Sequence, residues 1–274
     1  MRVASLHVYP VKSTRRVELT SAVVEPWGLA GDRRWMVVDE DWRLLTARED
    51  PRLLTVAARA LGDGELKVTG PHAAPMAVAG ALGEVVPVQV WNDVVPARHP
   101  GPDADAWFGA LLGRAVRLVW LDDPTRRDVN PLYGRPGDHV SFADAYPLHL
   151  TTTASLCQLN DWIGDEAVLR GEPTPAAPLP MHRFRPSVVI DTVVPFHEDR
   201  WTRLRIGSVA FRVVKGCDRC VLTTIDPDTL ESGKEPIRTL ARHRRWNGKV
   251  WFGVNLVPDG VGTISVGDDV TPFP

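Results

Sequence analysis

Apolar residues in this chain fall mostly in short alternating runs, rich in Val and Ile, that Gly, Pro or Asp interrupts every few positions. Alternation sends every second side chain to one face, so such runs predict strands half-buried against a core. The clearest lie at 17–24, 34–38 (followed by a turn at 39–41), 203–215, 250–257 and 263–266, with a further β-branched run at 221–225. Asp-Gly pairs at 63–64 and 259–260 offer the positive φ that tight hairpins need. Helical spacing occurs at 105–112, where Trp107, Leu111 and Leu112 cluster, at 153–163 through Leu156, Leu159 and Trp162, and at 235–244. In the last segment Pro236 suits a first turn, because its missing N–H would have no partner there anyway. The pattern predicts a mainly β, α+β protein with a few connecting helices. Its strands do not alternate with long helices, which argues against a doubly wound sheet and for packed or closed antiparallel sheets.

Two shifts in composition divide the chain: a Pro-rich charged stretch at 122–138 and the run GEPTPAAPLP at 171–180. The first is the better boundary, giving domains 1–121 and 122–274, and the second reads as a surface loop. With 274 residues, 44% hydrophobic and 24% charged, the chain is large enough to bury a core without cross-links. A formal net charge of −2 supplies no global field toward nucleic acid or an anionic membrane, so anion binding has to be local. Three cysteines, an odd and small number, argue for a reducing compartment. The first thirteen residues are broken by His7, Pro10 and Lys12 before a signal core forms, so the expectation is a cytoplasmic protein without a membrane span.

The most reactive sequence is Gly216-Cys217-Asp218-Arg219-Cys220, between the run at 203–215 and that at 221–225. Two thiols at that spacing can form a redox dithiol, half of a zinc site, a soft-metal ligand or two inert core thiols. No second pair exists to complete a zinc site, and a β-branched run follows where a thioredoxin-like dithiol would start a helix. Lys215 and Arg219 could supply the positive field that favours a thiolate. A second cluster joins Lys12 and Ser13 with Arg33 and Arg48: a point charge, a hydroxyl and two guanidinium forks could meet a phosphate, although solvated surface charge is the simpler account from spacing alone. Arg185, before the run at 187–190, could meet a planar ligand or carboxylate as readily as a structural acid. Asp144 and Tyr146 interrupt an apolar stretch, which an ordinary turn explains equally well. The eight histidines show no metal-ligand spacing, and no nucleotide-binding loop or serine-hydrolase motif is present.

Taken in order, YPVKS at 9–13, GDRRWMVVD at 31–39, TARED at 46–50, FADAYP at 142–147, FRPSVVID at 184–191, CDRCVLTTIDPDT at 217–229 and GTISVGDDV at 262–270 resemble the MOSC family, the molybdenum-cofactor sulfurase C-terminal type, with its N-terminal β-barrel domain. The resemblance is to the YcbX-type and amidoxime-reducing branch of that family. It implies two β-barrel-like domains with a cofactor cleft between them, holding a molybdenum pyranopterin. Pyridoxal phosphate is a further ligand associated with the family. Cys220, directly before the Val-Leu-Thr-Thr run, would be the metal ligand, and Asp144 the group orienting water or substrate. Lys12, Ser13 and Arg33 would meet phosphate and pterin tail, with Tyr146, Arg185, Ser187, Asp218, Arg219 and Asn255 also lining the cofactor. The family more often has Asn where Ser187 stands. The implied activity is reduction of small N-hydroxylated compounds. No cysteine follows Cys220, so no iron–sulfur cluster is expected in this chain, and electrons would come from a separate donor of ferredoxin or flavin reductase type. Thiolate chemistry would equally serve persulfide transfer or a cofactor carrier.

Overall fold

The computed structural model describes residues 1–62 and 64–273. The chain divides into two compact units, one of Val8–Glu18 with Pro26–Pro147 and one of Met1–His7, Leu19–Glu25 and Leu148–Pro274. Both are mainly β, and among the described residues three α-helices connect strands. None of these helices is long and apolar enough to cross a membrane.

The first unit, which carries Lys12, contains an antiparallel sheet in the order Trp35–Val38, Arg117–Trp120, Asp93–His99, Glu84–Val90. Its core repeats every second residue: Met36 and Val38, Val88 and Val90, Val95 and Ala97, Val119 and Leu121, closed by Phe142. That period of two puts these side chains on one face of the sheet. Ala57–Gly62, Glu65–Gly70 and Ala73–Ala79 form an antiparallel meander. The expected Asp-Gly turn at 63–64 falls partly outside the described residues, since Asp63 is not among them. The first helix, Pro102–Leu112, starts earlier than its apolar spacing suggested because Pro102 fits its first turn, and it buries Ala104, Phe108 and Leu112 along one stripe. It ends at Gly113, left-handed at φ 60°.

The second unit, which carries the cysteine pair, is built on a sheet in the order Val270–Phe273, Arg203–Ile206, Val209–Asp218, Lys249–Pro258, Leu148–Thr152, Val188–Asp191, Arg2–Val8. Only Leu148–Thr152 and Val188–Asp191 run parallel among these neighbours, and a parallel pair needs a crossover. Helix Thr153–Leu169 lies on that crossover, packing Leu159 and Ile163 with Phe184, Leu240 and Phe252. It outruns the predicted end at 163 because Glu166 and Ala167 are also buried.

Four expectations are corrected. The run at 203–215 is not one strand but two, Arg203–Ile206 and Val209–Asp218, paired antiparallel around Gly207, whose φ of 54° makes the turn. Residues 221–225 are not a strand: Val221–Thr224 is a 3₁₀ turn, because the Thr223 and Thr224 hydroxyls donate back to the carbonyls of Cys220 and Val221 at 3.0 and 2.7 Å. The Asp259-Gly260 pair makes no tight hairpin. Asp259 instead accepts from Arg212 and Arg203 at 2.6 and 3.1 Å, while Gly262–Ser265 pairs with Ser21–Glu25. The third helix is Ile237–His243, so Pro236 caps it rather than opening its first turn.

Candidate functional site

In the first unit, Lys12 is held by its own backbone, whose N–H donates to the Trp35 carbonyl at 2.8 Å. Its side chain is buried, and Nζ donates to the Phe142 carbonyl at 2.8 Å and to the Asp144 carboxylate. Burial lowers the Lys12 pKa from 10.5 to about 8; Asp144 opposes this shift, and Arg127 and Arg33 add to it. Ser13, also buried, follows with a left-handed φ of 69°. Arg33 is left-handed too, at φ 48°; its guanidinium bonds to Asp32 and lies 4.4 Å over the Tyr9 ring. Burial disfavours its charge, but Asp32, helped by Tyr9 and Asp144, keeps its pKa above the ordinary value.

Asp144 collects these cations. Its side chain is 59% exposed, yet the carboxylate meets Lys12 on one oxygen and Arg48 Nη2 at 3.1 Å on the other. Crowding opposes its charge; Lys12, Arg48 and Arg33 outweigh that and hold its carboxyl well below the usual carboxylate range. Arg127 fixes the segment from behind, donating to the carbonyls of Ser141, Ala143 and Asp144 at 2.7, 2.6 and 3.2 Å and to Asp93 at 3.0 Å. Trp91, left-handed and partly exposed at the tip of a hairpin, lies under both Arg48 and Lys12, with centroid distances of 4.9 and 5.6 Å. Tyr146 is buried and meets Tyr133 edge to face at 6.3 Å.

In the second unit the thiol turn is organised by Arg219. Its Nη1 donates to the Cys217 sulfur at 2.9 Å and lies 3.4 Å from His149 Nε2, and its Nη2 donates to the Phe184 carbonyl at 2.8 Å. Its Nε is buried and has no hydrogen-bond partner among the described residues. Cys220 caps the 3₁₀ turn with a half-buried thiol. Asp218 pairs with Lys249 at 2.9 Å and Lys215 at 3.5 Å; crowding opposes its charge, and the two lysines hold its pKa below the ordinary value. Asn255 donates to the Gly216 carbonyl at 3.2 Å, one residue before Cys217. Arg185 ends a 3₁₀ turn in the left-handed region at φ 53°, and buried Ser187 accepts from the His149 N–H at 3.4 Å.

Lys12, Arg33 and Asp144 are thus one electrostatic cluster, and Cys217, Asp218, Arg219, Cys220 and Asn255 share one turn and its neighbouring strand. Sequence reading gave no role to Arg127, Trp91, Asp32 or His149. Trp91-Asn92 between two alternating runs was the available signal for an aromatic at a hairpin tip, whereas the reach of Arg127 across the chain left none.

The chain belongs to the MOSC family: residues 1–115 match the MOSC N-terminal beta barrel domain and residues 137–271 the MOSC domain. It is similar to mitochondrial amidoxime reducing component 2 of Rattus norvegicus, with 31% identity over 98% of this chain and 82% of that protein. Mitochondrial amidoxime-reducing component 1 of Danio rerio is 33% identical over 90% of this chain and 76% of its own length. Molybdenum cofactor sulfurase of Danio rerio is 30% identical over 98% of this chain and 34% of the sulfurase.

Proposed function

We propose that this protein is a molybdenum-cofactor oxidoreductase that removes oxygen from small N-hydroxylated compounds, in a cytoplasmic setting, with electrons from a separate donor protein. Similarity to amidoxime reducing components along nearly the whole chain carries the proposal. The donor set fits: Cys217 and Cys220 place two half-buried sulfur donors three residues apart. The thiol turn therefore suits a soft metal that brings most of its ligands and needs one thiolate.

In this reading Cys220 is the metal ligand, and Lys12, Ser13 and Arg33 hold the anionic tail of a pyranopterin, with Tyr146, Arg185, Ser187, Asp218, Arg219 and Asn255 along it. When bound, the cofactor supplies the two-electron oxygen-atom chemistry. The chain supplies position and field. Below about pH 8 the Lys12 ammonium is charged, so with Arg33 it meets an anion with two fixed cations. Asp144 stays ionised throughout that range, which makes it an acceptor that orients water or a substrate N–H and not a proton source. The guanidinium of Arg219 lies beside the Cys217 sulfur, and Cys220 stands at the start of the 3₁₀ turn that follows.

That same contact favours one second reading, persulfide transfer or cofactor carriage, since a guanidinium at a sulfur activates it as a nucleophile, and a sulfurase is among the relatives. Elemental molybdenum and pterin fluorescence, on protein from a cofactor-producing host, separate the two. Near-stoichiometric metal that is lost in Cys220→Ala, with reduction of an N-hydroxylated amidine by dithionite, is the expected result. Metal-free, pterin-free wild type carrying labile sulfane sulfur would replace the reductase reading with sulfur transfer.

A further inference from the structure

Trp91 occupies a place in the first unit that its residue type disfavours. Strands Glu84–Val90 and Asp93–His99 pair as far as Val90 with Asp93, so Trp91 and Asn92 alone make the turn. Trp91 takes the first of these positions in the left-handed region, at φ 55°, where a bulky side chain is rare and glycine or asparagine is the usual choice. Strain of this kind persists only where the surroundings over-determine the conformation. The Gln89 side-chain amide donates to the Trp91 carbonyl at 3.1 Å. The Gln89 N–H donates to the Trp42 carbonyl, and the Gln89 carbonyl accepts from Leu44, both at 2.9 Å. Asp93, on the other side of the turn, accepts from Arg127 at 3.0 Å, and Arg127 also donates to the carbonyls of Ala143 and Asp144. One buried guanidinium therefore fixes both the turn that carries Trp91 and the backbone of Asp144.

What the held ring does is decided by charge. The Arg48 guanidinium lies 4.9 Å from its centroid and the Lys12 ammonium 5.6 Å, and these are the two cations that meet the Asp144 carboxylate. Arg33 and Arg127 have Asp32 and Asp93 as their own acids. When Lys12 is drawn to an anionic cofactor tail, Arg48 is the cation left on Asp144. An ion pair to a carboxylate as exposed as this one contributes little by itself, because fixing a long arginine offsets most of the attraction. An indole face against the guanidinium removes part of that cost and adds its own attraction. A carboxylate has about four lone-pair sites, so Asp144 can still accept from an N–H while its charge is matched.

We propose that Trp91 is a specificity-determining positioning residue: by holding Arg48 on the Asp144 carboxylate it cancels that charge, so the site takes uncharged N-hydroxylated amidines in preference to cationic N-hydroxyguanidines. The inference rests on the proposed reductase reading, in which Asp144 orients the substrate. Specificity of this kind comes from what is withheld from the wrong ligand. With Arg48 on the carboxylate, an incoming cation finds no unmatched charge to offset its own loss of water. Without the ring, Arg48 leaves one carboxylate oxygen open, and a cationic ligand gains the attraction that Arg48 now takes up.

The test uses the full chain and compares kcat/KM for benzamidoxime, uncharged near neutral pH, with that for N-hydroxyguanidine, a cation there. Kd values for benzamide and benzamidinium accompany it, since these flat probes of the two charge types have no N–OH to reduce. Trp91→Ala and Arg48→Gln are each expected to shift both ratios toward the cation by about fivefold, the upper range for one exposed ion pair. The double variant should go no further than either single one, because both remove the same screening. Trp91→Phe keeps a ring face and should stay near the wild-type ratios. Ratios unchanged in Trp91→Ala, effects of Trp91→Ala and Arg48→Gln that add, or no binding of either probe to the wild type would each overturn the proposal. Reduction of benzamidoxime by dithionite keeps the two readings apart. Its absence in cofactor-loaded wild type counts against the reductase alone, and the Kd ratios judge Trp91 in either case.

Discussion

Arg219 donates to the sulfur of Cys217 at 2.9 Å while its own Nε is buried with no hydrogen-bond partner among the described residues. A fixed cation at a sulfur favours the thiolate, the form that reacts. Arg219→Gln should therefore slow alkylation of Cys217 by iodoacetamide several-fold. Mass-spectrometric mapping with exposed Cys157 as internal reference reads this directly. An unchanged Cys217 rate would mean that the contact does not activate the thiol.

Lys12 predicts a dependence on pH with a definite sign. Its folded pKa of about 8 lies below its ordinary 10.5, so between those values the unfolded chain binds more protons and stability rises with pH. The cost of the buried ammonium is fully present below pH 8. Relative to Lys12→Met, which cannot titrate, the wild type should gain stability from pH 7.5 to 10, by at most about 3 kcal/mol. Urea unfolding at several pH values checks it. A falling difference would show that Asp144 outweighs burial. Over the same interval, binding of inorganic phosphate by the wild type should weaken as the ammonium is lost.

Arg127 is the structural support of the Asp144 segment. Its guanidinium serves three carbonyls and one carboxylate while almost fully buried. Arg127→Leu would fill much of the volume but leave those carbonyls without donors, at a cost of about 3 kcal/mol. The variant should lower the urea midpoint and also lift the Lys12 pKa toward its ordinary value, because one opposing cation is gone. A lowered midpoint with an unchanged Lys12 titration would limit Arg127 to a purely structural role.

Strands were legible where burial follows alternation: Ala22 and Val24, or Leu204 and Ile206, are buried beside exposed neighbours as their spacing predicts. Residues 221–225 misled for a local reason, since threonine favours strands by shape but here closes a turn through its hydroxyls. At the cationic cluster, spacing alone favoured solvated surface charge for Lys12, Arg33 and Arg48, and only the family resemblance pointed to anion contacts. What decides their character is Asp144, more than a hundred residues away from Lys12, and Arg127, which no local pattern connects to either. Long-range ion pairs leave no periodic trace, so the strand pattern could be read and the electrostatics could not.

Gly253 offers the sharpest test of backbone packing beneath the thiol turn. It lies inside strand Lys249–Pro258 with φ +75°, a conformation that side-chain-bearing residues rarely adopt, and an added Cβ would come within 2.5 Å of both the Leu150 carbonyl oxygen and His149 Nε2. Gly253→Ala therefore has to move either the neighbouring strand or the imidazole, which sits 3.4 Å from Arg219 and 3.3 Å from the Phe252 carbonyl. The expected loss is about 3 kcal/mol, from backbone strain and the clash together. At Gly216, with no positive φ, the added methyl approaches only the Trp251 ring, at 3.0 Å, so Gly216→Ala should cost clearly less. Thermal unfolding of both variants ranks them. If Gly216→Ala proved the more damaging, the Trp251 contact, and not the close approach of strands at Gly253, would be the tighter constraint on the turn that carries Cys217 and Cys220.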